Sequence, residues 1–243
     1  RPVIVHCHDT LVLPIGTLIS LLTGARLVYD AHELESDKNG QTKLSSWATL
    51  LIEKICWPRI DTLISVSPSI LSWYNSELGF KKSTLILNSP AIENASTSEC
   101  VENDRSYFRK LYGIPDTELV FVYLGALVNG RGIELLLKAF SQPSVNSHAV
   151  FIGYGALQNR ILALSKTNSN LHLHKPVTQE LVVALSKNAD IGLCIIENTS
   201  LSDYYSLPNK LFEYSFSGLP VLASDFPGIS AVVSKFKLGA CTE

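Results

Sequence analysis

Hydrophobic and polar positions along the chain fall into two alternating patterns. Short unbroken runs rich in Val, Ile and Leu are separated by stretches whose apolar residues recur at helical spacing. The runs at 3–7, 26–29, 62–66 and 84–87 predict four buried strands, with helices between them at 14–22, 44–56 and 68–78. A second series predicts strands at 119–124, 149–152, 171–174, 190–196 and 220–223, and helices at 132–140, 157–164, 179–187 and 208–216. Residues 239–243 have the pattern of one more strand.

Continuous apolar strands alternating with helices imply parallel sheets covered on both faces. The expected fold is therefore α/β, with two Rossmann-like, doubly wound parallel-sheet domains, the first incomplete. Residues 89–106, with Pro90, several Ser and mixed charge, suit an interdomain linker, which divides the chain into 1–100 and 101–243. The chain has no Met, even at position 1, so it is expected to be the middle of a longer polypeptide. In parallel sheets ligands bind beyond the carboxyl ends of the strands, so the residues just after each strand carry most of the functional information.

Composition narrows the function. The 243 residues are 46% hydrophobic and 17% charged with a net charge of −2, which excludes a disordered chain. With a pI near 6.3 the chain lacks the basic footprint of a nucleic-acid binder, and none is expected as a partner. The longest apolar run, 11–22, is interrupted by Pro14, Gly16, Thr17 and Ser20 and is too short to span a membrane. Five scattered cysteines without a CxxC pair fit free thiols in a reducing compartment, so a cytoplasmic location is expected. The glycosylation-like triplets at Asn94 and Asn198 are then coincidental.

Several strand ends carry candidate chemistry. The first ends in His6-Cys7-His8-Asp9 and the second in Asp30-Ala31-His32-Glu33. An HxH pair puts both imidazoles on one side of a strand, as a metal site would. The plainer expectation places His6 hydrogen-bonded inside the sheet and His8 at its edge, with no metal. The remaining histidines, His148, His172 and His174, have no carboxylate nearby in the sequence. His32 lies past a strand end beside two acids, which would orient its ring for acid–base work.

In the second series, the strand ending at Leu124 leads through Gly125 and Ala126 to Arg131-Gly132 and a helix, an arrangement suited to anions. Arg131 opposes the helix macrodipole there by about 0.3–1 kcal/mol unless an anion is present. The competing reading is an ion pair with Glu134. Gly153 and Gly155 follow the next strand and are expected to let a ligand approach the backbone. In Pro208-Asn-Lys210-Leu-Phe-Glu213, Lys210 and Glu213 are three residues apart and share a helix face. A carboxylate at Glu213 suits a vicinal diol; an exposed Lys–Glu pair is the alternative.

Taken in order, Val5-His-Cys-His-Asp9, Tyr29-Asp-Ala-His-Glu33, Tyr123-Leu-Gly125, Arg131-Gly132, Ile152-Gly-Tyr-Gly155, Pro208-Asn-Lys-Leu-Phe-Glu213 and Gly218-Leu-Pro-Val resemble the family 4 glycosyltransferases along essentially the whole chain. That resemblance implies the GT-B fold and retaining transfer from a nucleoside-diphosphate sugar to a saccharide or lipid-linked acceptor, with no cofactor. It also leaves room for peripheral association with the inner face of a membrane. It implies that Arg131 grips the diphosphate, Glu213 binds the ribose, His32 lines the reaction centre and Gly125 forms the close-approach turn. Lys210 would assist at the diphosphate, and the backbone near Val177 would meet the base.

The chain departs from the family pattern in four places: at two residues, in the family's first N-terminal strands and Gly-rich loop, which are expected to be missing, and in its C-terminal helix, so that 101–243 is expected to lack its last helices. Tyr205 stands where the first glutamate of the Glu-x7-Glu motif belongs, and Ala126 follows Gly125 where an arginine is frequent. The sequence contains no Asp-x-Asp, in keeping with metal-independent transfer. A sugar-nucleotide epimerase of similar fold and a silent nucleotide-binding scaffold remain alternatives, with a metal hydrolase third.

Overall fold

A computed structural model describes residues 1–90 and 105–243. The expected boundary at residue 100, Cys100 and the Asn94 triplet lie outside the described residues. Two compact units are present: Arg1–Asn88 with 198–207 and 226–228, and Ser89–Glu197 with 208–225 and 229–243.

The first unit holds β1 (Ile4–His8), α1 (Asp9–Thr23), β2 (Arg26–Ala31), α2 (Lys43–Cys56), β3 (Thr62–Ser65), α3 (Pro68–Leu78) and β4 (Ser83–Leu85). The strands lie in the order β1-β2-β3-β4, all parallel. Leu13, Leu27, Tyr29, Leu63, Ile70 and Tyr74 are fully buried at its centre. One acid is buried among them. Glu53 of α2 accepts hydrogen bonds through Oε1 from Tyr29 and Tyr74, both at 2.7 Å, and from Thr10 at 3.0 Å. Burial pushes its carboxyl up, and the hydroxyls pull the other way.

That network accounts for the largest boundary difference. Proline favours a first helical position, so the sequence predicts a start at Pro14. The helix begins five residues earlier, at Asp9, because Thr10 must stand on it to reach Glu53. Pro14 is carried inside the helix, where it forfeits one backbone hydrogen bond.

The second unit holds α4 (Tyr107–Tyr112), β5 (Val120–Leu124), α5 (Ile133–Phe140), β6 (His148–Ile152), α6 (Gln158–Ser165), β7 (Leu171–His174), α7 (Gln179–Ser186) and β8 (Ile191–Cys194). After the short α8 (Leu201–Tyr204) of the first unit come α9 (Asn209–Phe216), β9 (Val221–Ser224), α10 (Pro227–Phe236) and β10 (Gly239–Thr242). The strand order is β10-β9-β8-β5-β6-β7, all parallel. The chain reverses direction across the sheet between β5 and β8, which is the topological switch point of a doubly wound sheet.

Tyr214 of α9 ties that switch point together. Its hydroxyl accepts from the Leu124 N–H at 2.9 Å and lies 3.1 Å and 3.2 Å from the carbonyls of Val122 and Leu193. The sequence extends β8 to 196, but the ladder stops at Cys194. Beyond it the Ser224 hydroxyl takes over, bonding both the N–H and the carbonyl of Ile196. Helices α4, α8 and α10 have no counterpart in the sequence reading. The first two are too short to show a helical period.

Two predictions follow from this packing. A Cβ on Gly192 would lie 2.3 Å from Cγ of the Tyr214 ring, which its hydroxyl contacts hold in place. Gly192→Ala is expected to cost about 1–3 kcal/mol, the range for an overpacked core, and urea unfolding measures it. The second concerns His172, whose ring stacks on Tyr112 and lies 2.9 Å, nitrogen to nitrogen, from His148. Burial first, and His148 second, push His172 down to about 4 from 6.5. Between those pH values the unfolded chain binds a proton that the folded chain does not. Stability is therefore expected to fall as pH drops from about 6.5 towards 4. Urea midpoints at pH 7 and pH 5 should move together more closely in His172→Gln.

Candidate functional site

In the second unit the loops after β5 and β6 are locked to each other. Gly125 and Leu127 donate to the carbonyls of Ile152 and Tyr154, and Leu157 donates back to Leu127. Gly125, Gly153 and Gly155 all have positive φ, and a Cβ on Gly153 would fall 1.9 Å from the Gly125 carbonyl oxygen. One on Gly155 would fall 2.4 Å from that of Leu127. Backbone fills the space where Gly153 and Gly155 would carry side chains. Gly125 is the exposed member, with open space on its far side up to Cε of Lys210 at 4.0 Å.

Lys210 comes from the first turn of α9. Its Nζ sits 3.8 Å from the centre of the Tyr123 ring and is buried with no hydrogen-bond partner. A desolvated ammonium without an acceptor costs several kcal/mol, only part of which a cation–π contact of about 2 kcal/mol returns. Glu213, one turn on, is buried, and its Oε1 accepts from Gln179 Nε2 at 2.5 Å. The two side chains share a helix face as expected, but each has a different contact.

At the start of α5 the structure adds a carboxylate that the sequence reading overlooks. Glu197 Oε1 accepts from the Gly132 N–H at 3.1 Å, and the Glu197 N–H donates to Gly130. This helix end is thus partly served by an internal acid. Arg131, half-buried, precedes Gly132, and Glu134 makes an ion pair with Arg160 at 3.7 Å. The fields of Lys210, Arg131 and Glu213 all reach Cys194 at the end of β8, although burial dominates and pushes that thiol up to about 12. Val177 lies in the loop between β7 and α7, half-buried. Gln179 and Glu197 also belong to this cluster and carry no sequence signal, since each is defined by a partner distant in the chain, whereas Tyr123 lies in the Tyr123-Leu-Gly125 motif but meets Lys210 only in three dimensions.

In the first unit the strand-end histidines differ from the expectation. His6 is not inside the sheet: its side chain is 43% exposed and its Nε2 lies 3.1 Å from Asp30. His8 and His32 face the same carboxylate at 3.5 Å and 3.4 Å. The acids beside His32 are Asp30 and Asp9, the latter at 3.6 Å, whereas Glu33 pairs with Lys38. The sequence also separates His148 from any carboxylate, yet Glu118 Oε2 lies 2.6 Å from it. Tyr205 packs against the first unit's core, next to Tyr204. Among the described residues no helix is long and apolar enough to cross a membrane.

Lys210→Met is expected to leave the unliganded protein at least as resistant to urea as the parent, because a buried ammonium without an acceptor is removed. The same variant should lose binding of pyrophosphate in calorimetry.

Among solved structures, a sucrose-phosphate synthase from Thermosynechococcus elongatus aligns with TM-score 0.69 at 18% identity, covering 95% of this chain and 58% of its own. HepE from Anabaena, solved with UDP and glucose, gives 0.72 at 16% identity, covering 95% and 61%. TarM from S. aureus, solved with fondaparinux, α-GlcNAc-glycerol and UDP, gives 0.69 at 16%, covering 99% and 45%. These likenesses carry the GT-B fold, and the chain spans about three fifths or less of each. No curated protein sequence matches it. The family model described as Glycosyl transferases group 1 matches residues 118–242, from the strand before the Gly125 loop to the last strand, and the chain belongs to that family.

Proposed function

We propose that the chain belongs to a retaining family 4 glycosyltransferase, with 1–100 a partial acceptor-side domain and 101–243 the nucleotide-sugar-binding domain. It would move a sugar from a nucleoside-diphosphate sugar to a hydroxyl of a saccharide or lipid-linked acceptor. The observation that carries this reading is the buried Lys210 ammonium, without an acceptor, beside the open side of the Gly125 turn. A diphosphate there would supply the missing acceptor.

As the anomeric carbon becomes oxocarbenium-like, negative charge builds on the departing diphosphate. Fixed cations stabilise that charge without reorganising, and Lys210 and Arg131 are assigned that role. Glu213, held by Gln179, is assigned the ribose hydroxyls, and the backbone near Val177 the base. Gly125 gives close approach, with Gly153 and Gly155 holding its loop in shape. His32 is assigned to the transferred sugar. UDP or UDP-glucose in the HepE structures, and UDP with TarM, support a nucleotide-sugar donor. Peripheral membrane association belongs to the same proposal; the exposed Leu11, Ile15, Leu18 and Leu22 of α1 are the feature that supports it.

The test is a thermal-shift series with UDP, GDP and ADP and their sugar conjugates. One nucleotide is expected to raise the melting temperature through mass action, and Arg131→Ala and Glu213→Ala should abolish the rise. No shift with any nucleotide would overturn the proposal and favour a silent scaffold, the reading to which Tyr205 and Ala126 point. Isomerised sugar without transfer would favour an epimerase.

A further inference from the structure

We infer that the first unit binds a divalent transition-metal ion of the zinc type on His6, His8 and Asp30. The inference does not depend on the transferase proposal, because none of these three residues takes part in it.

Strand geometry makes the site. His6 and His8 alternate along β1 and so project from one face. Parallel pairing sets His8 opposite Asp30 of β2. His32, two residues beyond Asp30, emerges on that same face just past the strand end. One donor atom each from His6, His8 and Asp30 lies within 4.8 Å of the other two. The separations to Asp30 Oδ2 are 3.1 Å from His6 Nε2 and 3.5 Å from His8 Nδ1. A tetrahedral zinc site with bonds of about 2.0–2.1 Å has donor atoms about 3.3 Å apart, which both Asp30 separations match, and the two histidine donors lie within 4.8 Å of each other.

The surroundings fit as well. His32 Nε2 lies 3.3 Å from His8 Nδ1 and 3.4 Å from Asp30 Oδ1, so it borders the position that three protein ligands leave open. Its other ring nitrogen faces Asp9 Oδ1 at 3.6 Å, and that oxygen is buried without a hydrogen bond. A carboxylate behind an imidazole is the arrangement that orients histidines around metals. Two imidazoles and a carboxylate are borderline ligands that suit zinc, whereas magnesium and calcium take all-oxygen sites. The side chains of His6 and His8 are 43% and 59% exposed, so an ion can reach them from solvent.

Calorimetric titration with ZnCl2, and the visible spectrum of the CoCl2-loaded chain, test the site without any activity assay. The expected result is one equivalent of zinc per chain and a tetrahedral cobalt spectrum. Affinity should weaken at least tenfold in both His6→Gln and His8→Gln. His148→Gln serves as the control, because His148, His172 and Glu118 form the other histidine group. Circular dichroism in EDTA checks that each variant is folded, and using two exposed positions ensures that at least one gives a result. Absence of zinc binding by the parent chain would overturn the inference. So would binding that survives both substitutions, or binding that His148→Gln alone removes.

Discussion

Parallel strand pairing is the constraint on which the rest of this structure depends. All described strand pairs run parallel, so within each sheet every strand ends at the same edge. That edge collects side chains far apart in sequence. In the first unit it gathers two histidines of β1 with Asp30 and His32. In the second it gathers the Gly125 turn, the end of β8 and the Gly153 loop. Register is critical to both groups. A one-residue slip between β1 and β2 would turn Asp30 to the opposite face and scatter the histidines.

Each unit buries an ionisable side chain, in different company. Glu53 is fully buried, burial raises its pKa, and its Oε1 accepts from three hydroxyls while its Oε2 is buried without a partner. Through Oε1 it ties α1, α2, β2 and α3 together. Lys210 has only an aromatic face for company and retains an electrostatic demand.

The departures from the family pattern have local physical consequences. Tyr205 cannot act as a carboxylate, and its ring packs on the first unit's core. Ala126 brings no charge to the Gly125 turn, which leaves Lys210 as the cation closest to it among the residues described. Glu197, bonded to Gly132, places an acid at the start of α5. Arg131 and Lys210 thus stand near two internal acids, Glu197 and Glu213.

How much of this was legible beforehand follows from which interactions are local. Strand and helix order, the α/β class, the positions of Arg131, Gly125 and Glu213 after their strands, and the shared face of Lys210 and Glu213 all follow from residue spacing of 2 or 3.6. Spacing is a property of the chain itself. Four matters were decided only in three dimensions: the early start of α1 at Asp9, the backbone reason for Gly153 and Gly155, the unmet burial of Lys210 and the convergence of His6, His8 and His32 on Asp30. Each depends on a partner about 20 to 90 residues away in the chain or on the space left by other side chains. A single sequence records which groups are available; only the packed sheet determines which of them meet.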